Sequence, residues 1–454
     1  MKDKNYVIIG NSTAGISAAE TIREIDITGK ITIIFEENFP ACSHLFISDY
    51  LKDKVVLDNI SHKDKSFFQR NNINTVIGVK IQKIDTNTHT VLLSTGEQLK
   101  YDKLLLATGS IPFIPNIKGI KDKQNCYTFL NMKSGSDIKN AVNNTDVVII
   151  GGGLIGLKIA EGLSKICKSV TVCELSNRLL AAILDKPAGD LIGKHIKKHG
   201  INYYTKNTVI EAVCKDNKIT GVILKDGRQL NCSMLIMAAG ARPNIKLAKQ
   251  MGVDIGQGIK TNKRQMTSIL DVYAAGDCTE SIDTLDNSAK IMTLWPDAVM
   301  QGKIAGNAMA GGDKCFDGAF AMNTIDFFGL HIVTCGIINA SEEDGYISTI
   351  TSNDMRYRKF VIKDNKLKGY ILIGDISRAG IYTDLIRKGI PLDRVKWDNS
   401  APISDFTFNP IQRKKRFDYY PDDMETAQQL CPDINEIEDI IFNQDIPVDD
   451  TISS

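Results

Sequence analysis

Two short glycine-rich segments contain residue types that could bind a phosphate, and each is followed by an acidic residue. The first, residues 10–15 (GNSTAG), is followed by Glu36, which comes 26 residues after its first glycine. The second, residues 151–156 (GGGLIG), is followed by Glu174, 23 residues after its first glycine. Glycine lets the backbone approach an anion closely, and a carboxylate accepts hydrogen bonds from ribose hydroxyls. Each segment is therefore a candidate dinucleotide-binding loop.

The residues around each loop predict the elements that hold it. Apolar runs at residues 6–9 and 31–35 indicate buried strands, and residues 16–25 between them are typical of a helix. The same order returns with strands at residues 146–150 and 170–173, again around a helix. In this arrangement a helix N-terminus faces a pyrophosphate. Because it occurs twice, the sequence predicts an α/β fold with two Rossmann-like dinucleotide-binding domains.

The positions within each loop have distinct roles. Gly10 makes the tight turn, Ser12 keeps the backbone close to a pyrophosphate, and Gly15 lets helix and strand pack. The corresponding residues of the second loop are Gly151, Gly153 and Gly156.

Glu174 bears on the choice of nucleotide at the second loop. Its carboxylate would bind an adenosine ribose and repel a 2′-phosphate, which favours NADH over NADPH. Arg178 lies close by in the sequence and keeps NADPH open as an alternative.

Three later segments share one feature with these loops, an apolar strand that runs into a glycine. Strands at residues 101–108 and 233–239 run into Gly109 and Gly240. An apolar strand from residue 271 ends at residues 276–277 (Gly-Asp), which places a carboxylate at a strand tip. Such a carboxylate can accept a hydrogen bond from a ribityl hydroxyl.

With these motifs in order, the sequence resembles the pyridine nucleotide–disulfide oxidoreductase superfamily, flavoproteins whose FAD domain is interrupted by an NAD(P)H domain. Within it, the chain is most similar to NADH:rubredoxin reductases and the flavoprotein part of nitrite reductases. The resemblance implies an FAD-binding domain in two parts, residues 1–112 and 245–317, around an NAD(H)-binding domain at residues 113–244. It also implies a C-terminal α+β interface domain at residues 318–405, followed by an acidic extension at residues 406–454.

The resemblance further implies an FAD-dependent NAD(P)H oxidoreductase in which hydride passes from NADH to flavin N5. Asp277 would anchor the ribityl chain, and a helix from Trp295 to about Met309 would point its N-terminus at the flavin pyrimidine. Trp295 itself would either contact the flavin or only pack. The residues assigned to the cofactors are Gly10, Ser12, Ala14, Gly15, Glu36, Glu37, Ser43, Val79, Ala107, Thr108, Gly109, Gly151, Gly153, Leu154, Ile155, Gly156, Glu174, Gly240, Gly276, Asp277 and Trp295.

Cys42 is a candidate catalytic residue in the segment after Glu36. Two-cysteine disulfide reductases carry C-x-x-x-x-C here, but residue 47 is Ile, which excludes a redox-active disulfide. Single-cysteine relatives have a glycine after their cysteine, where this chain has Ser43. Electron-transfer relatives carry a P-Y-S-R-type loop, which residues 40–44 (PACSH) resemble. Cys42 is therefore either a redox-active thiolate beside the flavin or a small packed hydrophobic residue.

Asp49 and Lys158 form a second catalytic hypothesis. In oxygenase-coupled ferredoxin reductases of this fold, a lysine that follows the serine of the P-Y-S-R-type loop pairs with a glutamate that follows the second glycine-rich segment. By matching motifs, those positions are Asp49 and Lys158, so the signs are exchanged. A retained pair would put the positive charge of Lys158 near the flavin–nicotinamide contact and favour reduced flavin. The alternative is a surface lysine and an unrelated aspartate.

The net charge of +1 hides an asymmetry along the chain. Residues 417–454 hold eleven Asp or Glu and no Lys or Arg, which leaves 55 basic and 43 acidic side chains, a formal +12, on residues 1–416. The tail is either a solvated block or a segment that docks on basic surface or on a partner, and spacing at residues 434–441 predicts a short amphipathic helix in it. A basic body would attract acidic rubredoxin- or ferredoxin-type carriers.

Composition and the remaining motifs exclude other classes. With 454 residues, 43% hydrophobic and 24% charged, the chain is typical of a multi-domain globular protein. Without a long apolar stretch or a signal peptide, it is predicted to be cytoplasmic, with no membrane span. No cysteines are spaced C-x-x-C, and His195 and His199 are interpreted as part of a solvated basic helix face, so no metal site is expected. Nucleic-acid binding is not expected, because the basic residues lack interleaved aromatics.

The sequence thus predicts an NADH-dependent FAD oxidoreductase that passes electrons to a small iron–sulfur carrier or a cluster-bearing partner subunit. One alternative is a single-cysteine thiol or peroxide flavoenzyme, of the coenzyme A disulfide reductase or NADH oxidase type, that uses Cys42. Another is a flavoprotein subunit of a larger complex, docked by its acidic tail. A homo-oligomer through the C-terminal domain also stays open.

Overall fold

The structure is a computed structural model that describes residues 4–37, 47–52, 63, 66–129, 131–353 and 355–395. The segment with Cys42 and Ser43 and the acidic extension at residues 406–454 lie outside these ranges. The chain divides into a unit ending at residue 387 and a second unit, whose described part contains a 3-10 helix at Leu392–Arg394. Among the described helices, none is long and apolar enough to cross a membrane.

The first part of the chain builds a parallel sheet around β1. Its elements are β1 (Asn5–Ile9), α1 (Thr13–Ile25), β2 (Lys30–Phe35), α2 (Ile47–Leu51), α3 (Phe67–Arg70), β3 (Ile73–Ile77), β4 (Ile81–Asp85), β5 (Thr90–Leu93), β6 (Gln98–Lys100), β7 (Lys103–Leu106) and β8 (Ser110–Pro112). β7, β1, β2 and β3 lie side by side in parallel, while β4, β5 and β6 form a small antiparallel sheet. Ile8, Ile31 and Ile33 are fully buried, which explains the uninterrupted apolar runs.

The middle of the chain repeats this architecture. Its elements are β9 (Cys126–Thr128), α4 (Met132–Ala141), β10 (Asp146–Ile150), α5 (Leu154–Leu163), β11 (Ser169–Cys173), α6 (Lys186–Lys198), β12 (Ile201–Tyr204), β13 (Val209–Lys215), β14 (Lys218–Leu224), β15 (Gln229–Asn231) and β16 (Met234–Met237). The parallel order is β12-β11-β10-β16-β9, and β13, β14 and β15 form an antiparallel meander.

The chain then returns to the first sheet. Its elements here are β17 (Ala241–Pro243), α7 (Lys246–Met251), β18 (Val272–Ala274), β19 (Ser281–Ile282), β20 (Ala289–Lys290) and α8 (Trp295–Met309). β18 pairs in parallel with β7, so the first sheet is completed by a segment that follows the second sheet in the chain. α8 packs closely against α1. The contact leaves no room for a side chain at Gly302, whose Cβ would overlap the carbonyl oxygen of Ala14.

An antiparallel sheet with one helix ends the first unit. Its elements are β21 (Met322–Phe327), β22 (Leu330–Gly336), β23 (Ile347–Ser352), β24 (Tyr357–Lys363), β25 (Lys366–Ile373) and α9 (Ala379–Lys388), in the strand order β21-β22-β25-β24-β23. β21 and β22 are consecutive antiparallel strands joined by a tight turn. Phe328 and Gly329 have φ of +49° and +81° and turn the chain between β21 and β22.

That turn also changes the interpretation of the histidines on α6. His195 is buried, and its Nε2 lies 3.0 Å from the carbonyl oxygen of Phe327. His199 stacks on Phe328 with ring centroids 4.2 Å apart. The predicted solvated face is therefore wrong for His195, because the β21–β22 turn packs on α6, whereas His199 stays exposed.

The predicted fold class is confirmed: two parallel α/β units and a C-terminal α+β unit. The domain boundaries at residues 112, 244, 317 and 405 stay predictions.

Candidate active site

The first glycine loop joins β1 to α1 and has no room for a side chain at Gly10 or Gly15. Gly10 has φ of +115°, and a Cβ on it would overlap the carbonyl oxygen of Ala107. A Cβ on Gly15 would in turn overlap the carbonyl oxygen of Gly10. Ser12 is the N-cap of α1 and its side chain makes no capping hydrogen bond, so the first amide groups of α1 are available to an acceptor outside the helix.

The second loop, between β10 and α5, repeats the geometry. Gly151 has φ of +110°, and a Cβ on it would overlap the carbonyl oxygen of Ala238. A Cβ on Gly156 would overlap the carbonyl oxygen of Gly151, whereas a Cβ on Gly153 would meet nothing within 4 Å. Gly153 is also the N-cap of α5. The open side of this loop is therefore a second cradle that an anion can approach.

Both loops open into one cleft of about 3230 Å³. Two of the predicted cofactor residues, Gly15 and Gly156, lie behind it and pack helix against loop. The other predicted residues in the described ranges line it: Gly10, Ser12, Ala14, Glu36, Glu37, Val79, Ala107, Thr108, Gly109, Gly151, Gly153, Leu154, Ile155, Glu174, Gly240, Gly276, Asp277 and Trp295, together with Asp49 and Lys158. The fold thus brings the two loops together, and cofactor contacts by these residues stay predictions.

Two short strands hold the two halves of the cleft together. β8, directly after Gly109, pairs antiparallel with β17, directly after Gly240. The Thr108 hydroxyl donates to the carbonyl oxygen of Asn244 over 2.7 Å, and the Asn244 amide donates to that of Gly109 over 2.9 Å. The segments after Gly109 and Gly240 are therefore the paired connections between the two parallel sheets.

The acids at the strand tips have different surroundings. Glu36 is exposed and pairs with Lys80 at 3.0 Å. Glu174 accepts hydrogen bonds from the amides of Gly152 and Ser176, each 2.6 Å long. Its carboxylate is thereby fixed beside the second glycine loop.

Arg178, which kept NADPH open in the sequence, is bonded to its own chain. Its Nε donates to the carbonyl oxygen of Leu184 over 2.8 Å, and its Nη2 to that of Ala181 over 3.1 Å. Its Nη1 donates to the side chain of Asn177 over 3.0 Å. Each of the three guanidinium nitrogens therefore donates one hydrogen bond to the chain, which uses three of the five N–H groups of Arg178.

Two further acids line the cleft, Asp277 after β18 and Asp297 in the first turn of α8. Burial raises the pKa of Asp277, opposed by a 3.4 Å hydrogen bond from Ser110. Asp297 has one carboxyl oxygen, Oδ2, that is buried with no hydrogen-bond partner in the described structure, and burial raises its pKa to about 6. An orphaned acceptor, two glycine loops with helix N-termini open to the cleft, and acids at strand tips together match the donors and acceptors of dinucleotide cofactors.

The predicted ion pair between Asp49 and Lys158 is not formed in the described structure, and both residues belong to a larger network. Lys52 and Lys158 each approach Glu161 Oε2 to 2.9 Å. Asp49 lies 3.9 Å from Lys52, and Asp326 lies 3.4 Å from Lys158. An ion pair with the lysine on the first segment and the glutamate on the second does exist, three residues further along each. It joins Lys52, just after α2, to Glu161 on α5.

Glu161 is the centre of this network and was missed in the sequence. Its side chain is only 6% exposed, and its Oε1 accepts the Phe328 amide over 2.9 Å. Burial disfavours its ionised form, but that amide, Lys52 and Lys158 favour it more, so its pKa is lowered. A glutamate on the apolar α5, three residues after Lys158, was the available signal.

Comparison with known proteins identifies the chain. Residues 4–302, about two thirds of it, match the model for pyridine nucleotide-disulphide oxidoreductases. The chain belongs to this family. Residues 322–390 match the rubredoxin NAD+ reductase C-terminal domain. As a member of the family, the chain is an NAD(P)H-dependent flavoprotein oxidoreductase.

Three similar proteins cover most of the chain. The nitrite reductase [NAD(P)H] of Bacillus subtilis is 30% identical over 391 residues, 86% of this chain and 48% of that protein, so the chain spans about half its length. The NADH-dependent phenylglyoxylate dehydrogenase subunit epsilon of Aromatoleum evansii is 29% identical over 413 residues, 89% of this chain and 95% of that protein. The structure of an NAD-dependent persulfide reductase from A. fulgidus superposes with a TM-score of 0.81, with 25% identity over 91% of this chain and 84% of that one.

Proposed function

We propose that the chain binds FAD at the first loop and NADH at the second, and passes electrons to a small acidic iron–sulfur protein or a cluster-bearing partner subunit. The observation that carries the proposal is the common cleft, because it lets a nicotinamide held from one loop reach a flavin held from the other. Flavin supplies the hydride-accepting chemistry when bound, and the protein supplies binding and orientation.

The chain's own residues divide this work. The glycine loops and the N-termini of α1 and α5 would hold the two pyrophosphates, and Asp277 would accept a ribityl hydroxyl. Lys52 and Lys158 line the cleft with Glu161 holding both ammonium groups. The carboxylates of Asp49 and Asp326 beside them leave this cluster without an excess of positive charge.

The preference for NADH rests on the fixed carboxylate of Glu174 and the engaged guanidinium of Arg178. A 2′-phosphate would meet a negative charge held by two amide hydrogen bonds, with the nearby arginine already bonded to the chain.

Changing Glu174 to glutamine tests this preference. E174Q keeps an oxygen acceptor for one amide but removes the charge, so we expect the kcat/KM ratio of NADH to NADPH to fall by about tenfold or more, which is roughly 1.4 kcal/mol. The measurement is steady-state reduction of an artificial acceptor with each nucleotide. E211Q is the matched control, since Glu211 pairs with Lys118 outside the cleft. An unchanged ratio in E174Q, or a large shift in R178K, would contradict the assignment.

The proposed acceptor class rests on charge and on the C-terminal match. Residues 1–416 carry a formal +12, which attracts acidic carriers, and the C-terminal sheet matches a domain of rubredoxin NAD+ reductases.

The test of this acceptor class is an anaerobic NADH titration of the purified protein, followed by flavin absorbance. Full reduction by one equivalent per FAD, with rapid transfer to rubredoxin or ferredoxin that slows as salt is raised, is the expected result.

A thiol or peroxide flavoenzyme is the second candidate, favoured by the similarity to a persulfide reductase. It would require two equivalents of NADH and a long-wavelength band between a thiolate and the flavin at the midpoint. Loss of this band in Cys42→Ser would replace the electron-transfer proposal with this one.

The subunit alternative has its own support, because the Aromatoleum protein is a dehydrogenase subunit and matches along 95% of its length. A deletion of residues 406–454 that abolishes association with a partner but leaves NADH oxidation intact would favour it.

A further inference from the structure

Asp297 is a charged side chain to which the proposed function gives no role. It belongs to the first turn of α8 and lines the cleft. Its Oδ2 is buried with no hydrogen-bond partner in the described structure, so Oδ1 is the oxygen left in contact with the cleft. A carboxylate with a buried, unpaired oxygen is unfavourable, whereas the neutral acid tolerates the same position better.

The packing of α8 places Asp297 beside the first glycine loop. A Cβ on Gly276 would lie 3.0 Å from the Cβ of Ala14 and 3.8 Å from that of Ala298, the residue after Asp297. One turn further along α8, Gln301 Oε1 accepts the Gly276 amide over 2.7 Å. The first turn of α8 therefore borders both the loop and the strand tip that carries Asp277.

No cation offsets the effect of burial on Asp297 in the described structure. The charged groups on α8 and on the elements packed against it are Glu20, Arg23 and Glu24 on α1, Asp277 after β18, and Lys303 on α8 itself. Across the cleft, Asp317 pairs with Lys263 at 2.8 Å. The position in the first turn of a helix favours the carboxylate. Burial outweighs this effect, and it alone raises the pKa of Asp297 to about 6.

We propose that Asp297 is a positioning residue that takes up a proton when the cofactor beside it gains negative charge, and so sets the pH dependence of cofactor reduction. The inference rests on the proposed function, because it needs a flavin at the start of α8. Hydride from NADH carries two electrons and one proton and leaves NAD+. A further proton from solvent, held on Oδ1 of Asp297, balances the negative charge that hydride brings.

The direction of the effect follows from electrostatics. A new negative charge nearby raises the pKa of a carboxyl group further. From about pH 6 up to that higher value, Asp297 is ionised before reduction and neutral after it. Each reduction then consumes one more proton in this range than it would without Asp297.

The experiment is a redox titration of the FAD-loaded full-length protein from pH 5.5 to 8.5, in the wild type and in Asp297→Asn. We expect the equilibrium constant for two-electron reduction to fall about tenfold more per pH unit in the wild type above pH 6, because one more proton enters the equilibrium. At pH 8, D297N should be the more easily reduced protein. D297E should keep the steep profile, and D317N, which removes an exposed, paired acid from the same cleft, should not change it.

A second readout does not depend on the Asn variant. A reduction-minus-oxidation infrared difference spectrum of the wild type at pH 7.5 should gain the C=O band of a protonated carboxyl group, and this band should move in D297E. The inference would be overturned if the equilibrium constant fell equally steeply with pH in the wild type and in D297N, or if the infrared spectrum lacked the C=O band of a protonated carboxyl group. Failure of the proposed function is distinguishable, because the protein would then hold no FAD or fail to be reduced by NADH at any pH.

Discussion

Replacing Gly156 with valine should abolish efficient hydride uptake from NADH while leaving flavin bound. Even a Cβ at this position would overlap the carbonyl oxygen of Gly151, which is backbone and cannot move aside as a flexible side chain could. The N-terminus of α5 would therefore be pushed away from the loop that it shares with β10. A displacement of about 1 Å at a positioning element costs on the order of 100-fold, and we expect at least this loss in kcat/KM for NADH.

The measurement is stopped-flow reduction of the bound flavin, first by NADH and then by dithionite. Dithionite should still reduce G156V, because it does not use the second loop. Gly15→Val is the mirror variant, since its Cβ would overlap the carbonyl oxygen of Gly10, and it should lose flavin instead. Gly380→Ala, on the exposed start of α9 with nothing within 4 Å of its Cβ, should change neither. Loss of flavin from G156V with retention in G15V would reverse the assignment of the two loops.

Replacing Glu161 with leucine should lower the free energy of unfolding by about 3 kcal/mol. Removing one member of a buried ion network leaves the others uncompensated, which costs roughly 3–5 kcal/mol. Lys52 and Lys158 are 15% and 20% exposed and can partly re-solvate, so the lower end applies. The Phe328 amide also loses its acceptor.

The measurement is urea unfolding followed by circular dichroism at pH 7 and pH 3. The folded protein lowers the pKa of Glu161, so its stabilisation is present above the ordinary glutamate pKa of about 4.3. It is lost as the pH falls through the lower folded-state value, and the gap between E161L and the wild type should narrow in acid. D326N should cost under about 1 kcal/mol, because Asp326 is 45% exposed. Equal effects of E161L and D326N would contradict the central place of Glu161.

Most of what the sequence determined lies within single strand–turn–helix units. The last glycine of each loop, which packs on the carbonyl group of the first, and the start of α8, with a proline in its first turn, depend on residues that are near in the sequence. The repetition of such a unit was enough to predict the fold class. The contacts of the predicted residues with cofactors stay predictions.

The tertiary structure decided which side chains meet across these units. Lys52, Glu161 and Asp326 are far apart in the chain, and only the packing of α2, α5 and β21 brings them together. The sequence placed the charge pair one helical turn too early, because matching motifs aligns positions but not side-chain partners. In the same way, the sequence places Arg178 near Glu174, but only the folded chain shows its hydrogen bonds to Leu184 and Ala181. Spacing along the chain records local geometry, whereas ion pairing and burial depend on distances through space that only the folded chain sets.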